Sequence, residues 1–542
     1  MSINLPFLSE KPATFSHQKW FRWLLFVLLI LGIFFHFFNV DKKLFWHDEA
    51  YTSMRAGGYT RIELDESLFQ ERLMPARDLQ QFQQIKPGST FQDTINSLIL
   101  EDPQHPPLYF LMARFWMQLF GGSMLASRLL PVLISLISLP FIYYLALELF
   151  SSKLTAIIAT IFLSLSPFDI LFAQTARQYS LLTLTAIASS WFLLKALKSS
   201  DKKNWRFYTI TCAIGFYTQP FFVLTVIGQA GFLAIYWLLD KIEIKKILLY
   251  IGSIIYSLIL YVPWILVLLF NYQRALDTTD WARVRVSLLY LVKLWILSFT
   301  SLFVDRFFLP YSNLDFIGSD SFLTYLLRLP FLLLIMISIY TVCRQTKRST
   351  WLFILTSIFV PFLLLVFADL ILGGKRSAVT RYLIPCFPGV QLAVAYLTTQ
   401  LLLYRKQVWR VIFSVLITMT IVSCTINALS NTSWSKDLSY HNAEVAQLIN
   451  ARSSPLIISD RGDDWTNLGD LLSLSYLFDN DVQLFLIYYP PRLEKIEKVL
   501  EKNRSEVFLF RPSSLLSATL KQAGYRIDLI FPSGRLWKLT KR

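Results

Sequence analysis

LYFLMARFWMQLF, residues 108–120, decides the topology of this chain. The run is about 13 residues long, and a helix that crosses a bilayer needs about 20. It opens at Pro106-Pro107, carries Arg114 inside and closes on Gly121-Gly122. These features predict an interfacial or re-entrant helix. Other apolar runs, long enough or nearly so, cover residues 20–40, 125–149, 154–173, 179–197, 206–218, 221–239, 247–270, 322–343, 351–372, 382–403 and 409–430, about 11 spans with 206–218 the weakest. If 108–120 does not cross, the cytoplasmic loops hold Lys153; Lys195, Lys198, Lys202, Lys203 and Arg206; Lys241, Lys245 and Lys246; Arg344, Lys347 and Arg348; and Arg405, Lys406 and Arg410. If it did cross, all of these would face outside, against the rule that Lys and Arg collect in cytoplasmic loops. Lys11, Lys19 and Arg22 precede the first run, so the N-terminus is expected in the cytoplasm.

Composition agrees. Of 542 residues, 54% are hydrophobic and only 16% charged, where a soluble protein carries about 25% charge. An ordinary cytosolic enzyme, a disordered chain and a disulfide-rich module are excluded. The net charge of +16 belongs to cytoplasmic loops and gives no reason to expect a nucleic-acid partner. Cys212, Cys343, Cys386 and Cys424 lie in or at the ends of apolar runs with no CxxC spacing, which points to neither a metal site nor a disulfide framework.

The expected fold is a polytopic α-helical membrane protein over 1–430, with interfacial helices in a first external loop at 41–124 and a small external α/β domain at 431–542. Residues 271–321 form a second external region, in which 286–304 is expected to lie along the membrane. In the C-terminal part, PLIISD (455–460), VQLFLIYY (482–489), VFLFR (507–511) and YRIDLIF (525–531) read as strands, with helices near 465–478, 491–503 and 513–523.

Four motifs could carry chemistry. FWHDEAYT (45–52) lies just past the first span. Asp48 there is either a helix cap or a carboxylate held to take a proton from an attacking hydroxyl. EDPQHPPLY (101–109) places His105 at the head-group level before the interfacial helix, near Asp48 if the loop folds back, or merely as part of a helix start. AQTARQY (173–179) joins two spans on the outer side. GGKRSAVTRYLIP (373–385) puts Lys375, Arg376 and Arg381 outside, against the charge trend. Anionic head groups would attract them; binding of a phosphate, which arginine forks match, is favoured because the glycines permit close approach. Asp169 and Asp369 near span ends are weaker candidates. Asp479-Asn480-Asp481 reads as a turn, and the sequons at Asn431 and Asn503 are too common to interpret. No compact His/Asp/Glu ligand set stands in the external loops, so neither a metal nor a cofactor is expected.

In combination and order, WHDEAYT, HPPLYFLMARFWMQLFGGS, LASRLLPVLISL and SPFDILFAQTARQYSLL, with the patch at 373–390, resemble the glycosyltransferase C superfamily. The nearest branch is similar to bacterial relatives of protein O-mannosyltransferases and the lipid A aminoarabinose transferase. The resemblance implies transfer of a sugar from a polyprenyl-phosphate donor to an acceptor hydroxyl on a glycan, lipid or protein, at the external (periplasmic) face of the inner or plasma membrane. It implies Asp48 as general base with Glu49 beside it. Lys375, Arg376, Arg381 and Tyr382 are then near the donor phosphate, and His105, Arg177 and Tyr179 near substrate. Many relatives carry an acid where this chain has Thr175. A glycolipid or polymer flippase, or a non-catalytic glycolipid-binding relative, is the alternative.

Overall fold

The computed structural model describes residues 19–199, 201–240, 242–305, 322–403, 407–436, 438–502 and 506–541. Lys11, Lys241, Arg405, Lys406, Asn503 and residues 306–321 of the second external region lie outside them.

Among the described residues, nine helices are long and apolar enough to cross a membrane: α1 (Lys19–Phe37), Met124–Phe150, Tyr179–Lys198, Phe222–Asp240, Ile244–Phe270, Leu323–Gln345, Arg348–Leu372, Thr380–Leu403 and Arg410–Leu429. A tenth is a pair, Lys153–Ser164 and Pro167–Ala173, bent by 56°. Pro167 has no N–H to continue the ladder, and the Ser166 hydroxyl restarts the helix by accepting from the Asp169 N–H at 3.2 Å. The weakest expected span, 206–218, belongs to a 17-residue helix, Lys202–Thr218. It packs against Tyr179–Lys198 and Ile244–Phe270, and with it the bundle has the 11 apolar segments expected.

Between α1 and the helix Met124–Phe150 lie α2 (His47–Gly57), α3 (Arg61–Leu68), α4 (Phe91–Glu101) and α5 (Leu108–Phe120). At about 1.5 Å per residue, the 13 residues of α5 fall well short of a bilayer core. The charge inside α5 has a local purpose. Arg114 is fully buried and donates to the Ser89 carbonyl (2.7 Å), the Ala56 carbonyl (3.2 Å) and the Thr94 hydroxyl (3.3 Å). It therefore ties α2, α4 and the intervening loop together.

The C-terminal part forms a sheet of order β1-β3-β2-β4-β6-β5. Its strands are β1 (Leu73–Pro75), β2 (Leu456–Ser459), β3 (Gln483–Leu486), β4 (Val507–Phe510), β5 (Tyr525–Phe531) and β6 (Leu536–Lys541). β2 is parallel to β3 and β4; β1 and β6 are antiparallel to their neighbours. β2 is buried along its whole length, as expected of a parallel strand covered on both faces. β1 comes from the first loop. Phe45, Met54, Leu64, Phe69 and Leu79 of that loop share one core with Ile457, Leu471, Leu484 and Phe508. First loop and sheet are thus one packed body.

Arg114→Ala leaves buried carbonyls without donors and is expected to cost about 3 kcal/mol. Thermal unfolding of the purified protein in detergent should show a lowered midpoint.

Candidate active site

Glu49 is fully buried at the N-terminus of α2. Arg128, from Met124–Phe150, meets it as a fork, Nε to Oε1 at 2.8 Å and Nη2 to Oε2 at 2.9 Å. The Trp46 and Ala176 N–H groups donate to it at 3.0 and 2.8 Å, and Lys436 Nζ stands 3.5 Å from Oε2. Burial alone would push this carboxyl up; the charges of Arg128 and Lys436 and these hydrogen bonds outweigh it and hold the pKa at about 2. The rest of the Arg128 guanidinium donates to the carbonyls of Val40, Lys43 and Leu44. One ion pair therefore locks the end of the first span, α2 and the loop after Ala173.

Asp48 is differently situated. Its side chain is 20% exposed, with Arg177 Nη2 3.9 Å from Oδ2. Arg177 also donates to the Thr52 hydroxyl at 2.9 Å and approaches His105 Nε2 at 3.3 Å. Burial, then the Arg177 charge, lower the His105 pKa to about 4, so the ring is neutral. Because Nε2 faces a donor, the proton sits on Nδ1, and the Gln178 amide 3.3 Å away must turn its oxygen there. That orientation gives a partner to the Gln178 oxygen, which otherwise has none. The segment holding His105 is pinned by Trp264 Nε1, which donates to the Pro103 carbonyl at 3.1 Å.

The loop after Ala173 spends each residue separately. Gln174 bridges Lys43 (2.9 Å) and the carbonyls of Phe35 and Phe38 at the end of α1. The Thr175 hydroxyl is buried and donates to the Leu171 carbonyl at 2.7 Å, a bond a carboxylate could not make. The Arg177 guanidinium also lies 6.0 Å from the Tyr179 ring.

The cationic segment comes to the same place. The Arg381 guanidinium lies 5.2 Å from the centre of the Trp46 ring and 5.4 Å from that of Trp281. Lys375 Nζ is 5.4 Å from Trp281. Trp46 stands two residues before Asp48. Tyr382 stacks on Phe221 at 3.9 Å and interacts electrostatically with Asp48, Arg177 and Tyr179. Lys375, Thr380, Arg381, Trp281, Trp434 and Ser435 are among the residues lining a small open cleft. Arg376 is not among them. Its guanidinium is 3.2 Å from the buried Asp369 carboxylate, which also accepts from the Arg376 and Ser377 N–H groups; it closes the turn after Arg348–Leu372.

Lys436 was not singled out in the sequence. It is buried against Glu49 and 5.6 Å from the Trp46 ring. Burial lowers its pKa to about 8, partly offset by Glu49. The available signal was the same as for Lys375: a lysine just past the last span, on the side expected to be poor in cations. Beyond it, the His47 N–H donates to the Ser439 hydroxyl at 3.0 Å, and Ser439 donates to Asp470 at 2.9 Å. A Cβ on Gly469 would fall 2.3 Å from the His47 ring. The sheet's helix Asn467–Leu474 thus packs directly on the helix that carries Asp48. Among the described residues, no three His, Cys, Asp or Glu side chains gather as metal ligands.

Comparison with known proteins finds one family model that matches part of this chain and solved structures that share its fold. Residues 104–267 match the profile of the family described as dolichyl-phosphate-mannose-protein mannosyltransferase. No curated protein matches the chain by sequence. Among solved structures, ArnT from Cupriavidus metallidurans in the apo state is similar at a TM-score of 0.53 and 13% identity, covering 96% of this chain and 98% of that one. The same enzyme bound to undecaprenyl phosphate gives 0.51 at 12% identity, covering 97% and 98%. The apo oligosaccharyltransferase of Archaeoglobus fulgidus gives 0.50 at 12%, covering 98% of this chain and 75% of that one.

Two outcomes test the electrostatics. Glu49→Gln leaves Arg128 and Lys436 buried without their counter-charge and should cost about 3–5 kcal/mol, read by thermal unfolding. For Lys436, the folded pKa of about 8 lies below its ordinary 10.5. Between those values the unfolded chain holds a proton that the folded protein has released, so this group makes stability rise with pH across that window. Lys436→Met should remove that rise.

Proposed function

We propose that this protein is a membrane glycosyltransferase that moves a sugar from a polyprenyl-phosphate donor to an acceptor hydroxyl. The single observation that carries this is the placement of Arg381 against Trp46, two residues from Asp48. In this reading the acid at the start of α2 works beside the cations that line the cleft. The polyprenyl-phosphate bound by the structurally similar ArnT supports the choice of donor.

In this reading the acceptor hydroxyl gives its proton to the Asp48 carboxylate as its oxygen bonds to the anomeric carbon. The bond from that carbon to the phosphate oxygen breaks, and the electron pair leaves on the lipid phosphate. Arg381 and Lys375 stabilise that charge, and their aromatic surroundings keep water and counter-ions from screening it. Tyr382 lies beside Arg381 and helps frame the phosphate. Arg177 orients Asp48, and neutral His105 orients Arg177. Glu49 is a positioning residue, because every lone pair it offers is engaged. Arg376 serves the turn and not the phosphate. The reaction runs on the non-cytoplasmic face of the cell membrane, with residues 431–542 external, the N-terminus cytoplasmic and the lipid tail lying along the spans.

Asp48→Asn should lower transfer from purified polyprenyl-phosphate sugar by about 10²- to 10⁴-fold; unchanged turnover contradicts the assignment. Arg381→Gln should raise the KM for donor well above any change in the KM for acceptor. Equal changes in both would remove Arg381 from the phosphate.

A further inference from the structure

The loops at the carboxyl ends of β2 and β3 carry a cluster that the transfer chemistry leaves unused. Open α/β sheets take ligands at this edge. The crevice between β2 and β4, where the strand order reverses, is filled by its own residues: Arg511 pairs with Asp470 and Asp464, and Asn467 Nδ2 donates to the carbonyls of Asp460 and Arg511. The surface beside it, over β2 and β3, is built differently. The Arg461 guanidinium lies 5.3, 5.7 and 5.8 Å from the rings of Trp465, Tyr488 and Phe69. Arg61, from α3, donates to the Trp465 carbonyl and holds its guanidinium 5.9 Å from the same indole.

Trp465 is 52% exposed and Tyr488 46%. Trp465 also has φ +59°, a left-handed conformation that a bulky residue adopts only when its surroundings impose it. Asp65 is 7% exposed, 3.9 Å from Arg61 and 3.5 Å from Arg461. Its Oδ1 is buried without a hydrogen-bond partner, as are the Nε atoms of both arginines. Half-exposed aromatic rings above a charged group whose hydrogen bonding is incomplete are the makings of a binding surface.

We propose that this platform holds the acceptor, and that the acceptor is a saccharide; the proposal rests on the transfer reading above. A pyranose offers an apolar C–H face to an aromatic ring and hydroxyls around its edge. Trp465 and Tyr488 supply the rings, Arg61 and Arg461 donate to hydroxyl oxygens, and Asp65 holds both arginines in place from below. The surface offers side chains over the inner strands β2 and β3, which suits a sugar better than an extended peptide added at a strand edge. It also leads to the base. Trp465 stands two residues before the helix Asn467–Leu474, whose Gly469 packs on His47, the neighbour of Asp48, so a chain of sugars lying on the platform has its end toward Asp48.

The test uses the full-length protein in detergent, with lipid-free oligosaccharide cleaved from the envelope of the source cells and, separately, a Ser/Thr-rich peptide. By calorimetry the oligosaccharide should bind Asp48→Asn as it binds the unaltered protein, and binding should fall at least tenfold in the double variant Trp465→Ala/Tyr488→Ala. Asp65→Asn, which keeps the shape of the site, should weaken it in the same direction. In transfer assays the double variant should raise the acceptor KM at least tenfold and the donor KM less than twofold. Undiminished oligosaccharide binding in both variants overturns the proposal, as does tight binding of the peptide lost in the double variant while the oligosaccharide fails to bind. If Asp48→Asn still transfers, the transfer reading fails, and the calorimetry still decides the platform.

Discussion

The architecture depends on one buried ion pair. Glu49 and Arg128 meet with no solvent access on either side chain, and removing either would strand a charge in the interior. Such pairs contribute little net stability against an apolar alternative. What this one supplies is position. Its partners reach the end of the first span, the start of α2, the loop after Ala173 and, through Lys436, the segment after the last span. The first two are neighbours in the chain, while the loop after Ala173 and Lys436 are brought in from far along the sequence. The pair leaves Asp48, the adjacent residue, with a fixed backbone and a partly open side chain.

This arrangement explains why two neighbouring acids differ. Glu49 is saturated by donors and is kept ionised far below neutrality. Asp48 has Arg177 near it at salt-bridge limit and solvent on the other side. Proton transfer needs a carboxylate with a free lone pair, and an anchor needs one with none. In the proposed reading the first loop supplies both within one turn of helix.

Much of the fold was legible because the bilayer imposes a length and a charge rule. Residues 108–120 are short and hold an arginine, and they form a short helix with that arginine buried in hydrogen bonds. The central strands of the sheet announced themselves as apolar runs. β1 did not, since three residues ending in proline give no periodic signal, and β6 was missed because LWKLTK alternates only weakly. The motifs gathered Asp48, His105, Arg177 and Arg381 in one place. The division of labour between Asp48 and Glu49, or between Arg381 and Arg376, could not be read from adjacency in sequence. It depends on which way each side chain turns, and Asp369 and Arg128 settle that from distant helices. Lys436 was hidden for a related reason: a single lysine in a polar linker carries no pattern.

The most direct test of the central claim is a structure of the protein with a polyprenyl phosphate bound. The account predicts the phosphate against Arg381 and Lys375, with Asp48 no farther from it than the width of one sugar and Glu49 still clamped by Arg128. A phosphate seated elsewhere, or one separated from Asp48 by the bundle, would contradict it.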